Sequence, residues 1–263
     1  MSKRRHYREI PQFTTLPRPI YARPEQWGDM GSQTDWHSHP WGQFSYAATG
    51  VLTVLTRTAR YVAPPQYAIW VPARVAHQVL SLGSAKMRSL YIDENTLDRY
   101  RWLEPQVLEV TNLLRELIIK FCRQRADWPW HGPEHRLADV LVDQLNELKA
   151  ARLQLPLPRD RRLQTLCEMV QNNPADQSTM PQLASKAGIS ARSVSRLFHQ
   201  QTGMSFRQWR QRLRMLHALD CLGQKENVTE VALICGYESV SAFVAAFREQ
   251  FGVTPGRYFN RDL

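Results

Sequence analysis

The run Pro181-Gln-Leu183-Ala184-Ser-Lys-Ala187-Gly188-Ile189-Ser190-Ala-Arg192-Ser-Val194-Ser195-Arg196-Leu197-Phe198-His199-Gln200 decides the fold of the carboxyl-side third of this chain. Pro181 suits a first helical turn, where its missing N–H is not needed, and Gly188 suits a stop. Leu183, Ala184 and Ala187 give this first helix a buried face, with Ala184 small where a second helix must cross closely. Gly188 permits the positive φ of a tight turn, and Ser190 is placed to cap the next helix. That helix buries Val194, Leu197 and Phe198 and exposes Arg192, Ser195, Arg196, His199 and Gln200. All five can donate to phosphates or base edges. The pattern is that of a helix-turn-helix.

The charge around it supports a polyanionic partner. No Asp or Glu lies between Asp176 and Asp220, whereas Lys186, Arg192, Arg196, Arg207, Arg210, Arg212 and Arg214 all do. Clustered cations without nearby anions suit double-stranded DNA. A second copy follows in Thr229-Glu-Val231-Ala232-Leu-Ile-Cys235-Gly236-Tyr237, with the same Ala-x3-Gly turn and a glycine-to-glycine spacing of 48 residues. Ser239 or Glu238 caps its second helix, which buries Phe243, Ala246 and Phe247 and offers Ser239, Ser241, Arg248 and Gln250 as donors. Between the copies, Phe206 to about Leu222 reads as one helix with Trp209, Leu213, Leu216 and Leu219 on its apolar side. At ~1.5 Å per residue it spans about 25 Å, and with the breadth of each unit added the two recognition helices are expected near the ~34 Å that separates successive major-groove entries.

Composition sets the bounds. The 263 residues are 43% hydrophobic and 22% charged, which marks a globular chain of one large or two ordinary domains. The net charge of +10 is shared about equally between the halves, so clustering and not asymmetry carries the signal. Cys122, Cys167, Cys221 and Cys235 form no C-x-x-C pair and read as buried thiols in a reducing compartment. No apolar run approaches the ~18 residues of a membrane span, and basic Met1-Ser2-Lys3-Arg4-Arg5 leads into no signal-peptide core. A cytoplasmic location and no membrane partner are expected.

Upstream, Phe44–Ala47, Val51–Leu55, Tyr67–Val71 and Met87–Ile92 are β-branched or aromatic runs separated by turn signals, which suggests a sandwich or barrel. Residues 1–32, rich in Pro and Arg, read as an N-terminal arm. Val107, Val110, Leu113, Leu114, Leu117, Ile118 and Phe121 form one helical stripe. Leu137, Val140, Leu141, Leu145 and Leu148 form another, after a Trp128-Pro129-Trp130-His131-Gly132-Pro133 break. This helical hairpin over 101–155 packs on the strand domain, forms a homodimer interface, or does both. Leu155-Pro156-Leu157-Pro158 opens a linker over 156–162.

Within the strands, Asp35-Trp-His37-Ser-His39-x3-Gln43 precedes Pro72-x4-His77. In a strand His37 and His39 share a face, and a return strand carrying His77 brings a third imidazole to them. Three imidazoles suit Zn, Fe, Ni or Cu. Trp36, Trp41, Tyr46, Trp70 and Tyr91 line an aromatic pocket or fill a core, and Arg74 hints at an anionic ligand.

Two resemblances follow from these residues. Residues from about 163 to 260 resemble the DNA-binding domain of AraC/XylS-type transcriptional regulators, through Ser193–Phe198, Gly203–Phe206, Ile234–Tyr237, Phe243, Phe247 and Phe251-Gly-Val-Thr-Pro255-x2-Tyr258. The resemblance implies DNA contacts from Arg192, Ser195, Arg196 and His199 and from the second recognition helix. The family usually places polar or basic groups where Ala242 and Ala245 stand, so the first unit is expected to supply most of the sequence reading. The histidine spacing is similar to the cupin fold's two motifs, with Gln43 where metal-binding cupins usually have Glu and Arg74 where they usually have Gly.

The expected architecture is therefore α+β in two domains. A cupin-like effector barrel over 33–100 carries the hairpin, and an all-α double helix-turn-helix occupies 163–263. The effector site is expected at His37, His39, Gln43, Tyr46, Trp70, Arg74 and His77. No cofactor is required, and a divalent transition metal at His37, His39 and His77 is the one candidate. A ligand-responsive regulator and not an enzyme is the first reading; a cupin metalloenzyme with a DNA-binding appendage and a ligand-independent DNA binder are the alternatives.

Overall fold

The computed structural model describes residues 6–11, 13–97, 102–124 and 131–259. Met1–Arg5 and the Trp128-Pro129-Trp130 part of the hairpin break lie outside them. The chain divides into two units, residues 1–56 with 61–154, and residues 57–60 with 155–262.

The first part of the chain runs β1 (His6–Arg8), β2 (Ile20–Trp27), β3 (Ser32–Thr34), β4 (Gly42–Thr49), β5 (Leu52–Thr56), β6 (Ala59–Ala63), β7 (Tyr67–Val71), β8 (His77–Ser81), β9 (Ala85–Ile92), β10 (Gln106–Glu109), α1 (Asn112–Phe121), α2 (Pro133–Asn146), β11 (Ala150–Ala151) and β12 (Gln154–Pro156). Two six-stranded sheets form, ordered β1-β3-β8-β5-β6-β12 and β11-β10-β7-β4-β9-β2. The strand runs expected from sequence fall in β4, β5, β7 and β9.

Three segments differ from expectation. Residues 20–27, assigned to an arm, are strand β2 and pair along their full length with β9. Pro24 disguises this strand; it is tolerated because β2 lies at a sheet edge. Val107 begins no helix: it lies in β10, opposite Ile69 of β7, and α1 starts only after Thr111, whose hydroxyl accepts from Leu114 N at 3.2 Å. The expected linker is shorter than 156–162, because Pro156 closes β12 and Asp160 already caps the next helix.

Period-2 alternation gives the second sheet two distinct faces. Phe44 and Tyr46 of β4, Ala68 and Trp70 of β7, Leu90 and Ile92 of β9 and Leu108 of β10 pack with Leu114, Ile118 and Phe121 of α1 and Leu141 and Leu145 of α2. The intervening residues, among them Arg23, Trp27, Gln43, Met87 and Ser89, line the other side, together with Thr34, His37 and Val79.

The second unit holds α3 (Arg161–Asn172), α4 (Met180–Lys186), α5 (Ala191–Thr202), α6 (Phe206–Gly223), α7 (Val228–Ile234), α8 (Val240–Phe251) and α9 (Pro255–Phe259). Its local chemistry follows the sequence closely. Gly188 and Gly236 take φ of +66° and +76°, Ser190 accepts from Ser193 N, and Ser239 accepts from Ala242 N. At Gly236 there is a second reason for glycine, since a Cβ would lie 2.8 Å from Ala175 Cα. Leu183, Val194, Phe198, Trp209, Val231, Phe243 and Phe247 are buried. Two cations of the acid-free stretch serve this unit internally. Arg210 donates to the carbonyls of Ser178 and Asp176, and Arg214 to those of Pro174 and Asp176.

Asp220 on α6 is buried and paired with Arg60 at 2.6 Å. Nearby His217 is held down to about 4, mainly by burial and also by the charge of Arg60. The unfolded chain binds that proton near 6.5, so in the window between the two values the unfolded state holds more protons. Stability must fall as pH drops through it. In urea melts read by tryptophan fluorescence, His217→Gln is expected to remove up to roughly 3 kcal/mol of the loss seen on going from pH 7 to pH 4. Equal losses in the two proteins overturn this assignment.

Candidate functional site

Three places carry functional chemistry. On the helical unit, α5 follows the Gly188 turn and presents Arg192, Ser195, Arg196, His199 and Gln200, all exposed. The helix fixes this row because Val194 and Phe198 are fully buried on its opposite side. Ser195 Oγ donates to the Ala191 carbonyl at 3.2 Å. The N-terminus of α5 adds a positive dipole end with no acidic residue in its first turn.

Helix α8 is different. Its exposed positions are Val240, Ser241, Ala242, Ala245, Arg248 and Glu249. Ser239 is occupied as the N-cap, and Arg248 lies in the last turn, away from the cap. Of the donors expected on α8, Ser241 is therefore alone near its N-terminal end. Exposed Leu233 and Ile234 lie at the end of the preceding helix α7.

The second place is the polar side of the barrel. His37 and His39 do not sit in a strand; His37 forms an isolated bridge with His77, exchanging backbone hydrogen bonds of 3.0 and 2.8 Å. The bridge brings the rings of His37 and His77 to 4.2 Å, with His39 at 5.2 Å from His77. One potential ligand atom from each of the three lies within 4.8 Å of the others. In each ring Nδ1 faces a backbone carbonyl: Asp35 at 2.9 Å, Trp41 at 2.7 Å and Val75 at 2.9 Å. A carbonyl only accepts, so each Nδ1 carries the proton and each Nε2 keeps a lone pair. Burial lowers the basicity of all three imidazoles, bringing His77 down to about 3, so they are neutral near pH 7.

Gln43 completes this side. Its Oε1 lies 3.0 Å from His39 Nε2 and 3.4 Å from His77 Nε2, while its Nε2 donates to Ser45 Oγ at 2.8 Å. Neutral imidazoles with backbone-fixed Nδ1–H groups are a donor set that fits a transition metal and not Mg²⁺ or Ca²⁺. The triad can therefore hold such an ion. The space left beside His37 and Gln43 is about 10 Å³, lined also by Arg23, Glu25, Trp27 and Thr34. That is about the room one water needs. Arg23, Glu25 and Trp27 were hidden from sequence reading by Pro24, although their period-2 spacing is the signal that marks them.

The third place lies elsewhere on the same unit. A cavity of about 370 Å³ is lined by Gly42, Trp70, Arg74, Glu94, Leu97, Trp102 and their neighbours. Trp70 Nε1 donates to the Trp102 carbonyl at 3.0 Å, and the two indoles meet edge to face at 5.2 Å. Arg74, at φ +64°, turns outward to pair with Glu94 at 2.7 Å. The expected effector set is thus divided. His37, His39 and His77 cluster together with Gln43 beside them, His37 and Gln43 also line the small polar space, Trp70 and Arg74 line the larger cavity, and Tyr46 is buried in the core under the helices. Trp102, Leu97 and Glu94 were not singled out from sequence, because nothing local marks residues brought together from separate loops.

Comparison with known proteins gives two family matches. A family described as the AraC-like ligand binding domain matches residues 20–144, and a helix-turn-helix domain family matches residues 183–261. The HTH-type transcriptional regulator NimR of Escherichia coli (strain K12) is 33% identical over 225 residues, covering 86% of this chain and 82% of that protein. The HTH-type transcriptional regulator RipA of Corynebacterium glutamicum is 34% identical over 103 residues, 39% of this chain and 31% of that protein. Among solved structures, a DNA-binding transcriptional dual regulator from Escherichia coli K-12 is 30% identical, covers 37% of this chain and 88% of its own, and has a TM-score of 0.35.

Gly42 gives a direct check on the larger cavity. A Cβ at this position would overlap the Trp70 ring. Gly42→Ala is expected to displace the indole, cost about 1–3 kcal/mol of stability and alter the near-ultraviolet circular dichroism. An unchanged melt and spectrum would place Trp70 elsewhere.

Proposed function

This chain belongs to the AraC family of helix-turn-helix transcriptional regulators, and we propose that it reads its operator chiefly through α5 while a small-molecule effector occupies the cavity beside Trp70 and Trp102. It is a DNA-binding regulator with an N-terminal ligand-binding domain, not an enzyme. No helix among the described residues is long and apolar enough to cross a membrane.

One observation carries the operator reading: α5 exposes Arg192, Ser195, Arg196, His199 and Gln200 in a stretch without a single acid from 177 to 219. Arginine held toward the major groove pairs with guanine O6 and N7, and every exposed cation strengthens binding to phosphate. The α8 face offers Ser241 and the methyl groups of Val240, Ala242 and Ala245, which suit van der Waals contact with thymine methyls and weaker discrimination.

The effector reading rests on size and lining. The larger cavity falls within the ~300–1,000 Å³ of small-molecule sites, and the polar side of the barrel does not. Two indoles and Leu97 favour a planar, largely apolar molecule, with Arg74 and Glu94 at hand for a polar substituent. The three imidazoles are read as a site for a divalent transition-metal ion. Leu113 of α1 and Val140 of α2 are exposed large apolar groups, which supports a homodimer built on these helices.

Operator DNA selected from a random pool by the purified protein gives the test. Arg196→Ala is expected to weaken binding by ~10–100-fold, and Ser241→Ala by a few-fold at most. A larger loss from the serine change refutes the ranking. In light scattering, Leu113→Glu is expected to convert the dimer to a monomer; a wild-type chain that is monomeric at every concentration refutes the dimer.

A further inference from the structure

Resting on the reading that α5 and α8 enter grooves of one operator, we infer that segment 174–178 is a strut between the two helix-turn-helix pairs. Gln177, Arg214 and Gly236 are its positioning residues, and the strut fixes the operator spacing that the protein accepts. Helix α6 by itself sets a distance between the pairs and not a rotation. It joins the first pair through Gly203, at φ +71°, and the second through Lys225, at φ +63°. Short turns at the ends of elements are where a chain absorbs dihedral change, so each junction can act as a pivot. A second connection is needed to stop the pairs from turning about these two points.

Segment 174–178 supplies it. At one end it runs into α4: the Ser178 carbonyl accepts from Arg210 Nη1 at 2.7 Å, and Gln182 Oε1 accepts from the N–H of Thr179, the N-cap of α4, at 2.7 Å. In its middle, Arg214 donates through Nε to the Pro174 carbonyl at 2.9 Å and through Nη2 to the Asp176 carbonyl at 3.1 Å. Asp176 Oδ1 accepts from Ser178 N at 2.6 Å, which keeps the segment folded on itself. Arg210 and Arg214 are four residues apart, so both guanidiniums leave one face of α6. On the far side, Gln177 Nε2 donates to the Gly236 carbonyl at 2.9 Å. That carbonyl belongs to the turn between α7 and α8, just before the Ser239 cap.

The two turns differ where the strut touches. Gly188 and Gly236 both take a positive φ, +66° and +76°. A Cβ on Gly188 would meet no other described residue within 4 Å, whereas a Cβ on Gly236 would lie 2.8 Å from Ala175 Cα and 3.1 Å from Arg214 Nη2. The turn asks for glycine in both pairs; at Gly236 the strut's backbone asks for it again. Neighbours of Gly236 tie the same turn to α6: Cys235 Sγ donates to the Arg214 carbonyl at 3.4 Å, and Tyr237 Oη accepts from Gln211 Nε2 at 2.8 Å. Held from α6 and from the strut at once, the turn sets the direction of α8. Two binding surfaces held in one geometry gain from each other only when the DNA offers both at the matching separation and angle.

The experiment is equilibrium binding of the full chain to operator DNA selected from a random pool. The operator is used as selected, and with one base pair inserted or removed between the two groove entries mapped by hydroxyl-radical footprinting. One base pair moves the entries by ~3.4 Å and turns them by ~35°. Wild type is expected to lose at least ~10-fold on either change. Gly236→Ala, which wedges the strut away, and Arg214→Gln, which releases two of its carbonyls, are expected to bind the selected operator a few-fold weaker. On either spacing change they are expected to lose no more than ~3-fold further. Gly188→Ala brings the same turn strain without a strut contact and is expected to keep the wild-type ratio. Circular dichroism confirms the fold of each variant. Strut variants that keep the wild-type ratio, however weak their binding, overturn the inference, as does a flattened ratio in Gly188→Ala. A wild type indifferent to spacing removes instead the reading of two grooves. Should Gly236→Ala and Arg214→Gln not fold, Gln177→Ala, which loses one exposed hydrogen bond, decides by the same ratio.

Discussion

Successive side chains of a pleated strand point to opposite faces, and in this protein β4 lies where those faces have opposite chemistry. Gln43 and Ser45 turn toward histidines, and Phe44 and Tyr46 turn toward α1 and α2. A one-residue slip of β4 would drive an amide and a hydroxyl into an apolar core and aromatic rings among imidazoles. Both registers of β4, with Trp70 opposite Phe44 on β7 and Leu90 opposite Phe44 on β9, are held by that exclusion. The two possible ligand places inherit their character from it. The polar face closes to a space of about 10 Å³, suited to an ion or a water, and organic-sized room lies instead beside Trp70 and Trp102.

The helical unit uses its charge in two ways. Arg210 and Arg214 satisfy carbonyls of residues 174–178, where the chain leaves α3 and has no regular partner. Such carbonyls need donors when they are taken from water, and a guanidinium supplies several in one fork. Lys186, Arg192, Arg196 and Arg207 remain exposed. The cations of the acid-free stretch 177–219 are therefore divided between internal packing and an exposed surface. Repetition of the helix-turn-helix conserves its glycine turns and caps at Gly188 and Gly236, Ser190 and Ser239, but not the recognition surface, which is donor-rich on α5 and methyl-rich on α8.

Legibility in the sequence followed the range of the interactions. Turns, caps and helix faces were readable because they depend on residues within about four positions of one another: Gly188, Ser190, Val194 and Phe198 are such a set. Strands β4, β5, β7 and β9 announced themselves by apolar runs. Strand β2 did not, because Arg23, Pro24 and Glu25 look like loop; only pairing with β9 and an edge position make the segment a strand. Val107 and Leu108 fit a helical stripe as well as a strand, and their pairing with β7 decided the matter.

By itself the sequence determined the double helix-turn-helix, the exposed donor row of α5 and the identity of three histidines able to meet. The first two are set by covalent neighbours, and the third by chemistry that few residue types share. Tertiary structure alone decided that His37 bridges His77 instead of lying in a strand, that Arg74 turns to Glu94 and away from the imidazoles, and that Tyr46 and Trp70 belong to the other side of the sheet. Those outcomes depend on which strands pair and in which register. Pairing is fixed by the burial of whole faces at once, and no local stretch of sequence contains that information.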